Sequence, residues 1–382
     1  MIPYGRQSIS DADIEAVVSV LRSDFLTQGP QVPAFETAFS ERVDAPFAVA
    51  SNSATSALHL AYLALGVGPG DVVWTSPITF VATANAALYC GADVDFVDID
   101  PRTYNLSSDA LAQKLAEAER SGRLPKVVTP VHFAGQPCDM KAIAQLSQQY
   151  GFSVVEDASH AVGASYRDER VGHCGYSDIT VFSFHPVKIL TTAEGGLATT
   201  QQATLAERMA LLRSHGVTRD PDQLDHPDEG GWYYEQQSLG FNYRMTDLQA
   251  ALGVAQLQRL DRFIDARRKL AARYDDRLAE LPLVLPWQHQ DGRSSYHLYP
   301  VCLPKEIDRL HAYEQLRAAG IGVNVHYIPV PNQPYYQRSG FCPDDYPEAQ
   351  RYYASALSLP LYADLSEADQ DSVIDALTRI LG

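Results

Sequence analysis

Between residues 72 and 182 the chain alternates short apolar runs with helical stretches, and this alternation restricts the fold more than any other feature. Residues 72–74, 94–99, 127–131, 153–156 and 179–182 read as strands. The segments between them carry helical spacing, for example at Met140, Ile143 and Leu146. Strands joined through helices run parallel, and the helices cover both faces of the sheet. The expected class is therefore α/β, with a mostly parallel central sheet flanked by helices.

The flanking segments fill out this plan. Ser10 and Asp13 stand at capping-box spacing before Ile14, Val17, Val18 and Leu21, which recur at i, i+3, i+4 and i+7. A second helix is expected over about residues 55–65, stopped by Gly66. Residues 218–237 are acidic, aromatic and aperiodic, and read as a long exposed loop of the kind that is usually functional or disordered. Thr246 and Gln249 form a capping box for a helix carrying Leu248, Leu252 and Ala255. Beyond about residue 260 a smaller α+β portion is expected, with strands at 298–303 and 323–326 and a last helix bearing Val373, Ala376, Leu377 and Ile380. A chain of 382 residues has room for about two domains. The expected division is a large α/β domain over 1–250 and a small C-terminal α+β domain over 251–382.

Charge and cysteine usage exclude several classes of function. With 30 basic and 47 acidic residues the net charge is −17, a field that repels nucleic acid and anionic membranes. The five cysteines, at 90, 138, 174, 302 and 342, form no CxxC pair and no zinc-spaced cluster, so reduced thiols and no metal are expected. There is no basic-then-apolar leader at the N-terminus, and no apolar run approaches the ~20 residues that span a bilayer. A cytoplasmic protein is expected.

Ligands of open parallel sheets bind beyond the carboxyl ends of the strands, and three segments fall there. The run Val154 to His160 ends an apolar strand in Glu156 and Asp157, followed by His160; a strand-end helix cap explains these carboxylates equally well. Lys188 follows a buried strand in a turn tightened by Pro186 and by Gly195-Gly196. Desolvation there would lower the amine's pKa and make it a nucleophile toward aldehydes. Asp157, at a neighbouring strand end, supplies what pyridoxal 5'-phosphate needs opposite a Schiff-base lysine: a carboxylate that keeps the pyridine nitrogen protonated. The third segment, Asn52 to Ala57, starts a helix with small residues, so that backbone N–H groups approach a phosphate, with the Thr55 and Ser183 hydroxyls as added donors. Phe80 is the aromatic placed against the ring face, with core filling as its competing role. Gly66, Gly68 and Gly70 follow a helix and precede a strand, the wrong order for a dinucleotide fingerprint.

The ordered motifs NSATSALHL, PITFVATANAAL, VHFAGQP, VVEDASHAVG, VFSFHPVKILTTAEGG, RSHG, GFNYRMTDLQAALG and HLYP resemble the DegT/DnrJ/EryC1/StrS sugar aminotransferases over nearly the whole chain. The resemblance implies a fold-type I transferase using pyridoxal 5'-phosphate. Lys188 would be the cofactor-bearing lysine, Asp157 the pyridine-nitrogen partner, and His160 a group that orients Asp157 or touches the ring. Ala54, which stands where many members have glycine, would hold the phosphate with Thr55 and Ser183, while Phe80 stacks on the ring. Asn242 resembles the asparagine that a neighbouring subunit donates to the phosphate, which implies a homodimer with shared active sites.

Within the family, NSATSAL, SFHPVKILTTAEGG and the later VNVHYIPV are most similar to the pseudaminic-acid-pathway members. These aminate C4 of UDP-2-acetamido-2,6-dideoxy-β-L-arabino-hexos-4-ulose with glutamate as amino donor. Arg6, Arg213, His215, Arg244 and His326 are candidate donors to that nucleotide sugar, and His185 and Tyr327 candidate linings of the sugar pocket. Another nucleotide-linked 4-keto or 3-keto sugar remains an alternative substrate. A sugar 3-dehydratase of the same family would carry histidine in place of Lys188. A non-catalytic pyridoxal-phosphate-binding regulator would be expected to lose that lysine or to add a DNA-binding module.

Overall fold

The computed structural model describes residues 1–381. Seven strands form the central sheet: β1 Phe47–Ser51, β2 Val72–Thr75, β3 Asp93–Phe96, β4 Val127–Thr129, β5 Ser153–Asp157, β6 Ile179–Ser183 and β7 Gly196–Thr200. Their order is β1-β7-β6-β5-β4-β2-β3. The five strands from β3 to β6 run parallel, and β7 lies antiparallel to both of its neighbours. The mostly parallel α/β architecture is as the alternation predicts.

The extents differ in places. The expected strand at 94–99 stops at Phe96, leaving Ile99 in an isolated bridge to Leu106, and the one at 127–131 stops at Thr129, with Val131 bridging Asp157. Apolar residues continue past both strand ends because they are buried there, held by single bridges rather than by a continuing ladder. The strand β1 carries the apolar run Phe47–Ala50 but lies ahead of the strand–helix alternation, and β7 has no such run. In β7, Thr199 and Thr200 are fully buried, their hydroxyls donating to the carbonyls of Gly172 and Asp178.

Helices pack on both faces. The first nine are α1 Asp11–Leu21, α2 Gln31–Val43, α3 Ala54–Ala64, α4 Ala82–Tyr89, α5 Ser108–Ser121, α6 Met140–Tyr150, α7 Ala203–Arg213, α8 Asp247–Leu257 and α9 Leu260–Arg277. Adjacent residues of β6 separate onto opposite faces: Val181 joins the core built on α3 and α4, and Phe182 the core built on α2. Both expected capping boxes form, Ser10 with Asp13 and Thr246 with Gln249. In α1, however, Ile14 and Leu21 of the apolar stripe face solvent.

The segment expected as a loop at 218–237 is exposed over most of its length, and its ends are tied by a short ladder pairing Val217–Thr218 with Glu235–Gln236. A further core gathers Leu270, Tyr274, Tyr299, Val301, Leu359 and Leu377 around an antiparallel pair, Tyr299–Cys302 with Ala356–Leu359. The expected strand at 323–326 does not form; Asn324 alone bridges Ser358. The buried Arg267 ties this core to the sheet region through the carbonyls of Tyr296, His297 and Leu361. The first residues of the chain lie against the same portion: Ile2 bridges Ile321, and the Leu361 N–H donates to the Tyr4 carbonyl.

Candidate active site

The carboxyl ends of β5 and β6 and the N-terminus of α3 open into one cavity of about 580 Å³. Its wall gathers Ala54, Thr55, Phe80, Asp157, His160, Ser183, His185, Lys188, His326 and Tyr327, ten of the residues singled out from the sequence. They come from the start of α3, the turn before α4, the two strand ends and the 324–327 segment, so folding assembles positions as far apart as 54 and 327.

Lys188 is half-buried and lines the cavity. Burial lowers its pKa to about 8, against the attraction of Asp157, which pulls it upward. Asp157 is buried, with its carboxylate accepting from the Thr83 hydroxyl at 2.6 Å and from the Ser159 N–H at 3.1 Å. Its neighbour Glu156 points to the other face of the strand. There burial raises its pKa, but hydrogen bonds from His132, Ser177 and Thr180 outweigh that and leave it lowered. The two carboxylates thus separate into one structural anchor and one cavity group.

Of the two expected roles of His160, orienting Asp157 is not what the structure has. The Ala134 N–H donates to its Nδ1 at 3.3 Å, so the proton sits on Nε2, which donates to the Tyr327 hydroxyl at 2.9 Å. Both ring nitrogens are then used, and none is left for Asp157. Burial, with Lys188 and His326 nearby, holds the His160 pKa well below the usual histidine range. His326 is pushed down to about 3 by burial and by Lys188. His160 and His326 therefore face the cavity uncharged, and Lys188 is the one Lys or Arg in its wall among the described residues.

At the other end, Ser53 caps α3 by accepting from the Ser56 N–H. The N–H groups of Ala54 and Thr55 have no acceptor among the described residues, and the Thr55 and Ser183 hydroxyls are equally free. Gly196 of β7 makes this placement possible, since a Cβ there would overlap the Ser53 carbonyl and the Ala54 nitrogen. An open helix N-terminus with two hydroxyls fits a phosphate. A buried carboxylate and a depressed lysine amine fit a pyridine aldehyde, so the residues present suit pyridoxal 5'-phosphate at both ends.

Five candidates lie outside this wall. Arg213 is committed elsewhere, bonding Glu36 at 2.5 Å and the Ala50 carbonyl at 2.6 Å, which ties α7 to α2 and β1. Arg6 and His215 are exposed, and Arg244 is half-buried without lining the cavity. Asn242 is exposed too, its carbonyl accepting from the Asn52 side chain at 3.4 Å. Among the lining residues that the sequence does not single out are Tyr4, Thr83, His297 and Asn324. Tyr4 precedes the first periodic element and carries no pattern. Thr83 and His297 sit inside the quoted motifs PITFVATANAAL and HLYP but were not weighed individually, and Asn324 lies in the expected strand. His297 is 4% exposed, lies tilted against His160 with the ring centroids 4.4 Å apart, and has no hydrogen-bond partner for Nδ1 among the described residues.

With this geometry in place, the comparisons are specific. The chain is 42% identical over its whole length, and 97% of the relative's, to the spore coat polysaccharide biosynthesis protein SpsC of Bacillus subtilis. It is 38% identical to a UDP-4-amino-4,6-dideoxy-N-acetyl-beta-L-altrosamine transaminase of Campylobacter jejuni, covering 100% of this chain and 98% of the relative. The structure of Helicobacter pylori PseC, an aminotransferase involved in the biosynthesis of pseudoaminic acid, superposes with a TM-score of 0.91 at 30% identity, covering 100% of this chain and 99% of that one. Residues 7–378 match the family directly, and the chain belongs to the DegT/DnrJ/EryC1/StrS aminotransferase family, whose members are pyridoxal-phosphate-dependent sugar aminotransferases.

Proposed function

We propose that the chain transfers the amino group of glutamate to C4 of UDP-2-acetamido-2,6-dideoxy-β-L-arabino-hexos-4-ulose, in pseudaminic acid biosynthesis in the cytoplasm. The observation that carries the chemistry is the depressed amine of Lys188 sharing a cavity with the buried Asp157 and the open N-terminus of α3. The substrate assignment draws on the Campylobacter relative and the Helicobacter structure. The Bacillus relative, at higher identity, favours a second reading in which a different amino sugar enters a surface polysaccharide.

In this reading Thr55, Ser183 and the N–H groups of Ala54 and Thr55 hold the cofactor phosphate, and Phe80 covers one ring face. The Asp157 carboxylate would accept a hydrogen bond from the protonated ring nitrogen. When bound, the cofactor supplies an electron-withdrawing ring that takes up the electron pair released when a carbon bearing nitrogen loses its proton. Lys188 Nζ moves that proton. As free base it would accept it from the donor's α-carbon and return it to the carbon two atoms away, across the nitrogen; toward the sugar the same amine would work in the opposite sense. A pKa near 8 suits both directions at neutral pH, because neither protonation state is costly to reach. His160 holds the Tyr327 hydroxyl in place, and His185 and His326 contribute to the sugar side of the wall.

We assign Asn242, and Arg244 two residues on, to the site of a partner subunit in a homodimer. Both lie outside the cavity of their own chain, and that cavity has Lys188 as its one lining Lys or Arg among the described residues to meet a phosphate and a diphosphate. The purified protein is expected to be yellow, and borohydride to attach the chromophore to Lys188; a coloured Lys188→Ala variant retaining a covalent link would contradict the assignment. Incubation with the L-arabino and D-xylo isomers of the 4-keto UDP-sugar and glutamate, followed by product NMR, tests the substrate. Preference for the D-xylo isomer, or turnover of neither, overturns the pseudaminic reading.

A further inference from the structure

The buried carboxylate at the end of β5 is held by a directed chain of hydroxyls. Thr83, in the first turn of α4, places Oγ1 2.6 Å from Asp157 Oδ2. An ionised carboxylate only accepts, so the single hydroxyl proton of Thr83 points at it. The Phe80 carbonyl, 3.3 Å from the same Oγ1, competes for that proton and is the weaker acceptor, being neutral and more distant. With its proton spent, Thr83 Oγ1 is left as an acceptor, and Thr79 Oγ1, 2.8 Å away, supplies the next proton. The order is therefore Thr79 to Thr83 to Asp157, with both threonines buried. The Ser159 N–H occupies Oδ1. Thr83 is itself fixed: its carbonyl accepts from the Tyr62 hydroxyl, which also bonds Thr129 at the end of β4. The titratable groups near Asp157 on other elements are Lys188, Tyr62, Tyr327 and Cys138, and none of them hydrogen-bonds it.

We propose that Thr83, backed by Thr79, is a positioning residue that holds Asp157 as an oriented, ionised carboxylate and so keeps the ring nitrogen of the bound cofactor protonated. The inference rests on the cofactor reading given above. Hydrogen bonds to the charged form of an acid favour that form. Without the Thr83 donor the carboxylate competes better for the shared proton, and the ring nitrogen loses positive charge. A ring with less positive charge leaves the lysine-linked nitrogen more basic, so the yellow protonated chromophore persists to higher pH.

The test compares holoenzymes carrying Thr83→Val, Thr83→Ser and Thr79→Val with the unaltered protein, by absorbance titration and steady-state kinetics. Thr83→Val is expected to move the chromophore transition to higher pH. It should lower kcat about ten- to a hundred-fold, with KM for the keto sugar little changed. Thr83→Ser should restore both properties, and Thr79→Val should shift them in the same direction by less. Thr79→Val carries the test should Thr83→Val fail to fold. A Thr83→Val or Thr79→Val enzyme that titrates and turns over like the unaltered one overturns the proposal. So does a Thr83→Ser enzyme as impaired as Thr83→Val, which would mean that the methyl group matters and the hydroxyl does not. A colourless unaltered protein that borohydride cannot label at Lys188 overturns the cofactor reading itself, a result separable from the first two.

Discussion

A lysine amine is ordinarily protonated at neutral pH and a poor nucleophile. Lys188 departs from this because burial takes its amine out of water, and Asp157 compensates only in part. The depression has a consequence for the apoprotein. A base whose pKa falls from about 10.4 unfolded to about 8 folded binds fewer protons when folded, so stability rises with pH across that window. Lys188→Met removes the penalty. The variant is expected to be more stable than the unaltered apoprotein at pH 7 by about 2 kcal/mol, after discounting for partial exposure. The gain should fade as the pH climbs from about 8 toward 10.4. Urea melts of the two apoproteins at pH 7 and near pH 10 check this, and an equal gain at both would show that packing, not charge, is responsible. Lys188 and Asp157 were legible because strand ends in a parallel sheet are where ligands sit. His297 and Thr83 were not, because a histidine just ahead of an apolar strand and a threonine in a helix look like filling until their unpaired or directed atoms are seen.

The elements show the same division between local and distant causes. The helices α1 and α8 were readable from their caps because a capping box is written within four residues. The start of α2 was not: Pro30 offers no cap, and Asp247, at the start of α8, accepts from the N–H groups of Gly29 and Gln31, both at 2.7 Å. A cap supplied across 216 residues leaves no local signature. β7 was missed for a related reason, since its small and hydroxylated residues are suited to close contact with α3. Gly196 is the point of that contact, and its substitution separates support of the cofactor cradle from support of the fold. Gly196→Ala must push the first turn of α3 away from the strand. Overpacking of this kind costs about 1–3 kcal/mol of stability. Cofactor affinity should fall by about tenfold or more as the phosphate-binding N–H groups move. Fluorescence titration of the apoprotein with pyridoxal phosphate, beside a urea melt, checks it; unchanged affinity in a destabilised variant would place the phosphate elsewhere.

At the scale of the whole molecule, two surfaces are unexplained by a single chain. The N-terminal region exposes Ile14, Leu21, Phe25 and Leu26, an apolar strip on a protein of net charge −17. The helix spacing that made α1 legible predicted an apolar face but not where that face would be covered. Asn242 stands outside its own cavity, although it sits beside Asn52, just before the phosphate end. Both are accounted for if the proposed dimer covers the strip and delivers Asn242 to the opposite subunit, and mixing experiments distinguish this from Asn242 serving its own chain. Lys188→Ala and Asn242→Ala are each expected to be nearly inactive alone. In a mixed dimer of the two, one site combines the native Lys188 of one chain with the native Asn242 of the other, while the second site lacks both. Random reassociation of equal amounts makes about half of the dimers mixed, so about a quarter of the original activity should return. If Asn242 served the site of its own chain, every site in the mixture would lack one of the two residues, and no activity would return.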